Sequence, residues 1–371
     1  MWRNTLNTLR WSRPFTALYN ALLLLIVNSL ASCIKDKPNP PNNGIPPQKG
    51  TKVYVLNEGA MGMNNSGLSW LNADSGQINN QVFEQANGFG LGDVAQDFEY
   101  HAGRFYVVLN NSGFVRILDT ANLQERGRIS GVSFPRRFLG LSTGKAYVSH
   151  LYRSYVSVLD LNTQQVSKTI PTPYPNTEDM VRYQNYVYVS NWDTASPYLY
   201  KIDTQTDSLI AQIDLKVRAP HSMVLVQNKL WVLAGNPYKG KSSYLVCLDA
   251  TADTVIKTLA FPPQADPIRL KTNSAGDTLY FLMVNYNGGG SLNGLYRMAT
   301  SAQQIPGQAW LAAPTGSYYW AYGIHPGDGR IFLSDPKGFT QQSTLDIRSP
   351  QGDLLQRVRG GIGANLFYFT P

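Results

Sequence analysis

From residue 51 onward, short apolar runs alternate with polar breaks rich in Gly, Asn, Asp, Ser and Thr, and the order repeats. The stretch KAYVSHLYRSYVSVLDLNTQQVSKTI (145–170) holds a run containing Tyr-Val-Ser, a polar loop, a second run ending in Asp, a Thr-Gln turn and a third run. YVYVSNWDTASPYLYKIDTQTDSLIAQI (186–213) writes the same sentence again. Runs of this length, bounded by turn residues and rich in Val, Ile and Tyr, predict strands rather than helices. An aromatic anchor recurs at Tyr54, Tyr106, Tyr147, Tyr188, Trp231, Tyr280 and Phe332, with spacings of 52, 41, 41, 43, 49 and 52. One strand precedes each anchor strand after the first, and two usually follow it. Seven units of four strands predict an all-β fold, a seven-bladed β-propeller.

The two ends of the chain sharpen that expectation. After LeuLeuGlnArgVal (354–358) the sequence GGIGANLFYF (360–369) supplies an inner strand with no blade behind it. The first anchor, Tyr54, has no strand before it. The C-terminal strand is therefore expected to complete the first blade, which closes the ring and leaves no long exposed edge.

The first 33 residues read differently. Arg3, Arg10 and Arg13 stand without an acid before the apolar run Ala21–Val27, which is too short to span a bilayer. Leu30-Ala31-Ser32-Cys33 fits the lipobox of a bacterial lipoprotein signal, with Cys33 as the lipidated residue. Residues 34–50 follow as a Pro/Asn-rich tether, with five prolines among residues 36–50. Residues 51–371 then form the propeller. Without its first 33 residues the chain carries 29 basic against 24 acidic residues, with no basic run longer than Arg136-Arg137. That balance argues against nucleic acid as a partner. With Cys33 lipidated, Cys247 stands alone in an apolar strand and reads as a buried, inert thiol.

Strand alternation sends two kinds of loop to two faces. On one face the turns are short, as in 142–145 and 325–330. On the other they are longer and hold Asn, Tyr, Trp and Gly: 56–67, 150–155, 191–198, 236–242, 285–290 and 316–320. Long loops on a rigid scaffold are where binding concentrates. Aromatic faces and uncharged amides suit a large, flat, amide-bearing ligand. The candidate ligand-binding residues are Asn57, Asn65, Asn110, Tyr152, Trp192, Tyr238, Tyr286, Tyr319 and Trp320. Catalytic signals are sparse. His150 and His221 fall near the long-loop face, and His221 beside Glu178 or Asp179 is the one acid/base arrangement to consider. No metal-ligand spacing, nucleophile elbow or phosphate loop is present, so no metal and no cofactor is expected. Asp74, Asp119, Asp160, Asp203 and Asp249 share a repeat register that marks them as turn residues.

The Tyr-Val-Ser…Val-Leu-Asp repeat resembles the YVTN/YncE-like propellers. The opening, VYVLNEG (53–59) followed by NNSGLSWLN (64–72), is similar to the start of the DUF5074-type propeller lipoproteins of Bacteroidetes. That family includes surface cobalamin-binding lipoproteins seated on TonB-dependent vitamin B12 transporters. The resemblance covers residues 51–371. It implies a lipid-anchored outer-membrane protein at the cell surface that captures cobalamin or another corrinoid and delivers it to such a transporter, without chemistry. The seventh repeat departs from the motif at Ser334-Asp335-Pro336. Two other readings stand beside it: a protein-interaction or adhesion propeller, and a metal-dependent lyase of the streptogramin-inactivating type using a His and an acid with a divalent metal, which substitution of His150 and His221 would abolish.

Overall fold

The computed structural model describes residues 51–285 and 292–370. Within them twenty-eight strands, β1 to β28 in chain order, form seven antiparallel four-stranded sheets. Blades 2 to 7 each take four consecutive strands. They open on the inner strands β4 (Ala95–His101), β8 (Pro135–Ser142), β12 (Thr177–Tyr183), β16 (Pro220–Val226), β20 (Pro267–Thr272) and β24 (Ala321–Ile324). Blade 1 joins β1 (Lys52–Asn57), β2 (Gly67–Asn72) and β3 (Ile78–Asn79) to β28 (Ala364–Phe369), which takes the inner position. Tyr54 pairs with Tyr368 and Val55 with Phe367, so the last strand of the chain closes the propeller as its orphan sequence predicts.

The blades form because their middle strands are apolar on both sides. In β9 (Lys145–His150) every residue from Ala146 to His150 is buried, while the outer strand β19 (Thr254–Ala260) alternates between exposed and half-buried positions. A sheet sandwiched between two neighbours needs this doubled apolar pattern, and only its outer edge returns to simple alternation. The core is accordingly divided into clusters at the blade interfaces. Tyr54, Phe98, Phe105 and Tyr368 meet between blades 1 and 2, and Val53, Phe332 and Phe367 meet between blades 7 and 1. The Tyr106 and Phe138 rings stack at 4.3 Å between blades 2 and 3. Burying each such side chain contributes about 1.5–3 kcal/mol.

The repeated Asp residues close hairpins. The carboxylates of Asp119, Asp160, Asp203 and Asp249 each accept the backbone N–H two residues on, at 2.7–2.9 Å. Two places break the pattern. A short helix, α1 (Val82–Asn87), follows β3 and buries Phe83. The link from β22 (Gly294–Ala299) to β23 (Leu311–Ala312) runs over residues 300–310, on the face where short turns are expected. Cys247 is buried as predicted. Among the described residues no helix is long and apolar enough to cross a membrane. The leader, Cys33 and the tether lie outside the described residues.

Candidate functional site

The long-loop face owes its geometry to a bulge repeated at the top of the inner strands. The register slips between Ala95 and Asp97, Pro135 and Phe138, Thr177 and Met180, Pro220 and Ser222, and Ile268 and Lys271. An extra residue in one strand re-aims the side chains beside it. The sequence at four of these places is a small residue, Thr or Pro, two polar residues, then a bulky apolar one: Ala-Gln-Asp-Phe (95–98), Pro-Arg-Arg-Phe (135–138), Thr-Glu-Asp-Met (177–180) and Pro-His-Ser-Met (220–223). The apolar residue anchors the strand in a blade interface, and the bulged pair is carried to the channel mouth. Backbone strain collects at the same level. Val94, Phe134, Asn176 and Ala219, each preceding an inner strand, have φ of 56°, 48°, 68° and 56°, as does Arg269 at 58°.

The serine of Tyr-Val-Ser holds the bulge. Ser149 Oγ accepts from Arg137 N at 3.1 Å and donates to the Glu178 carbonyl of the next blade at 2.5 Å. Ser190 Oγ accepts from Asp179 N at 2.8 Å. In blade 7, where the inner strand keeps its register, Ser334 of Phe-Leu-Ser makes the corresponding contacts: its Oγ accepts from Ala321 N at 3.0 Å and donates to the Ala364 carbonyl of blade 1 at 2.7 Å. The recurring tripeptide therefore does local work: its hydroxyl satisfies the backbone groups that the bulge removes from the ladder.

A chain of polar side chains links the blades around the mouth. Trp320 Nε1 donates to Glu58 Oε2 at 3.1 Å, and Gln96 Nε2 donates to Glu58 Oε1 at 2.7 Å. Arg136 donates to Gln96 Oε1 at 2.7 Å and forks onto both oxygens of Glu178, at 2.7 and 2.8 Å. Such a bidentate, charge-assisted pair fixes both partners in one plane. The Arg269 guanidinium lies 5.0 Å from the Trp320 ring and donates to Asn365 Oδ1, while Asn365 Nδ2 donates to the Ala95 carbonyl at 3.0 Å. His221 meets the Trp192 ring edge-on at 6.4 Å. Asp97 and Asp179 sit one residue further along, accepting from Phe138 N and Met223 N at 2.9 and 2.8 Å.

The titration behaviour follows from this crowding. Burial raises Glu58 above the ordinary carboxyl value, against the opposing pull of Arg136 and Arg269. Burial also raises Asp179 to about 6 and lowers His221 to about 4, the latter against Glu178. For Glu178 the effect of burial is outweighed by Arg136, and the carboxyl is held below its ordinary value. Glu99 is solvent-accessible, yet desolvation by its surroundings, with Asp97 adding repulsion, raises its carboxyl to about 8. Lys271 falls to about 8, first by burial and then by repulsion from Arg269 and Arg137.

The structure distributes the residues expected from the sequence over three situations. Trp192 and Trp320 reach the channel mouth through His221 and Glu58. Tyr152 and Tyr238, 63% and 51% exposed, stand on loops of the same face, as does Asn65, whose Oδ1 shapes its own loop by accepting from Ala60 N at 2.8 Å. Asn57, Asn110 and Tyr319 are buried, and their side chains bond inside the fold: Asn57 to Ser69 Oγ, Asn110 to the Pro135 carbonyl, Tyr319 to the Ala312 carbonyl. Tyr286 lies outside the described residues. His150 is fully buried with Nδ1 on the Ser133 carbonyl at 2.7 Å and Nε2 on Ser157 Oγ at 2.8 Å.

Glu58, Gln96, Arg136, Arg269 and Asn365 were not singled out by the sequence. For Gln96 and Arg136 the signal is the polar pair after Ala or Pro at the start of the inner strand, visible only once the repeats are aligned; Glu58, Arg269 and Asn365 stand in no such pair. Chemically, the mouth offers fixed donors and acceptors beside two indole faces. Among the described residues no group of three His, Cys, Asp or Glu is placed to hold a metal ion.

Residues 50–305 match the model of a family described as a domain of unknown function, DUF5074. No curated protein matches the chain. Among solved structures it is similar to a quinonprotein alcohol dehydrogenase-like protein from Bacteroides thetaiotaomicron, with TM-score 0.66 and 12% identity over 86% of this chain and 78% of that one. It is also similar to Kuenenia stuttgartiensis hydrazine synthase, with TM-score 0.58 and 12% identity over 72% of this chain and 89% of that one. At such identities the likeness concerns the fold alone.

Proposed function

The chain belongs to the DUF5074 family, whose function is unassigned, and from that premise we propose that its propeller is a ligand-capture domain that binds without chemistry at the mouth of the channel. The observation that carries this reading is the convergence of Arg136, Arg269, Gln96, Asn365 and His221 between the indoles of Trp192 and Trp320. These groups come from different blades, so one ligand could touch most of the ring at once. Their donors are held by neighbours before a ligand arrives, which cuts the ordering cost of binding.

The ligand class that fits is a wide, flat molecule with amides at its edge. We propose cobalamin or another corrinoid: its ring would lie against the indoles and its peripheral amides would meet Gln96, Asn365 and the arginines. The lipobox at Cys33 and the tether place the protein, in this reading, on the outer membrane at the cell surface, handing its ligand to a TonB-dependent transporter. Titration of cyanocobalamin into the purified protein tests the ligand, and saturable binding that weakens in Trp320→Ala is the expected result. Failure of any corrinoid to bind would transfer the same face to a protein partner. The lyase reading asks more of this site, because both ring nitrogens of His150 are already engaged in the interior.

A further inference from the structure

On the face opposite the channel mouth, blades 5 and 6 border a partly open cavity of about 250 Å³ whose lining includes Lys229, Trp231, Gly276, Asp277, Thr300 and Ser301. The repeat reveals what occupies this place elsewhere. Between blades 3 and 4, Tyr147 Oη donates to Asp207, and Lys145 Nζ donates to the same carboxylate at 2.9 Å. Between blades 4 and 5, Tyr188 Oη donates to Asp253 at 2.6 Å and Lys201 Nζ at 2.7 Å. At both interfaces a ring donor and an ammonium from one blade clasp a carboxylate from the hairpin of the next.

Blade 5 brings its half of the clasp. Lys229 and Trp231 stand two residues apart on the second strand, in the register of Lys145 and Tyr147. Blade 6 brings no carboxylate from the link between its third and fourth strands. Its third strand ends in Ala299 where the neighbouring blades have Asp203 and Asp249, and Gln303 stands where Asp207 and Asp253 would be. The Gln303 amide turns to its own loop, donating to the Ser301 carbonyl at 2.9 Å. Asp277 is engaged by Asn273 Nδ2 and Thr278 Oγ1, both at 2.7 Å. Trp231 is 2% exposed, and its Nε1 has no hydrogen-bond partner among the described residues. A buried N–H left unpaired costs free energy that an acceptor would recover. Lys257 adds a second ammonium 5.8 Å from the Trp231 ring.

We propose that this cavity binds a small organic carboxylate, whose oxygen accepts from Trp231 Nε1 and pairs with Lys229 as Asp207 pairs with Lys145. The site is separate from the channel mouth and does not depend on what binds there.

The test is a titration of the full-length, ¹⁵N-labelled protein with sodium acetate, followed at the Trp231 indole N–H. That resonance is identified by its loss in Trp231→Tyr, or independently by Overhauser contacts to the Val226 methyls of the same core cluster. A saturable shift in the millimolar range is expected, as suits so few ligand atoms. Acetamide and sodium chloride at matched concentration should leave the resonance in place. Lys229→Met, an exposed change that leaves the core intact, should weaken acetate binding about tenfold. No saturable shift, an equal shift with acetamide or chloride, or unchanged binding in Lys229→Met would each overturn the proposal.

Discussion

Ser149 shows how a single hydroxyl sets the geometry of the site. It is fully buried and joins Arg137 N of one blade to the Glu178 carbonyl of the next. Removing it leaves a donor and an acceptor of the bulge unpaired. Ser149→Ala is expected to lower stability by about 1–3 kcal/mol, measured by urea unfolding, and an unchanged midpoint would show that the bulge holds itself. His150 offers a second test at this scale. Burial lowers its imidazole from 6.5 to about 4. Above 6.5 the ring is neutral in the folded and unfolded chain alike. As pH falls through 6.5 toward 4 the unfolded chain takes up the proton first, so stability present at neutral pH drains away, by up to about 3 kcal/mol. His150→Asn places there the residue found at the same repeat position in blades 1 and 4, Asn57 and Asn191. Unfolding measured from neutral to acid pH should be less steep in this variant than in the parent. Equal pH dependence would contradict the assignment.

At the scale of elements, strand periodicity was legible throughout, because the middle strands carry apolar residues on both faces and the hairpins carry Asp where an Asx turn needs it. The closing role of β28 was legible too, from an inner strand left over at one end and missing at the other. It yields a prediction: deleting residues 364–371 exposes the ladder of β1 and removes Phe367 from the cluster it shares with Val53 and Phe332. The truncated chain should lose its cooperative thermal transition and self-associate in size-exclusion chromatography. A monomer melting like the parent would contradict ring closure as a source of stability. The link over 300–310 was not legible as an exception, since the sequence merely lacks an Asp at Ala299, and absence of a turn residue is a weak signal. Nor were the bulges, which shift register by one residue without any glycine to mark them.

For the whole molecule, the difference between what was read and what was missed follows from where side chains point. Loop aromatics such as Trp192 and Trp320 were legible, because a large ring in a long loop is conspicuous in sequence. The buried Asn57, Asn110 and Tyr319 look the same on paper, and only packing separates them. Arg136 and Glu178 of the mouth were hidden in strands, where a polar pair reads as a strand start. Seven blades bring the residues of the mouth within reach of one another, although Glu58 and Arg269 lie far apart along the chain. If this mouth is a preorganised binding site, calorimetric titration of cyanocobalamin into the parent protein and into Trp320→Ala and Arg269→Ala will show it. Saturable one-to-one binding to the parent is expected, with affinity about tenfold or more weaker in each variant. Absence of heat at high micromolar cyanocobalamin, or equal affinity in all three proteins, would contradict it.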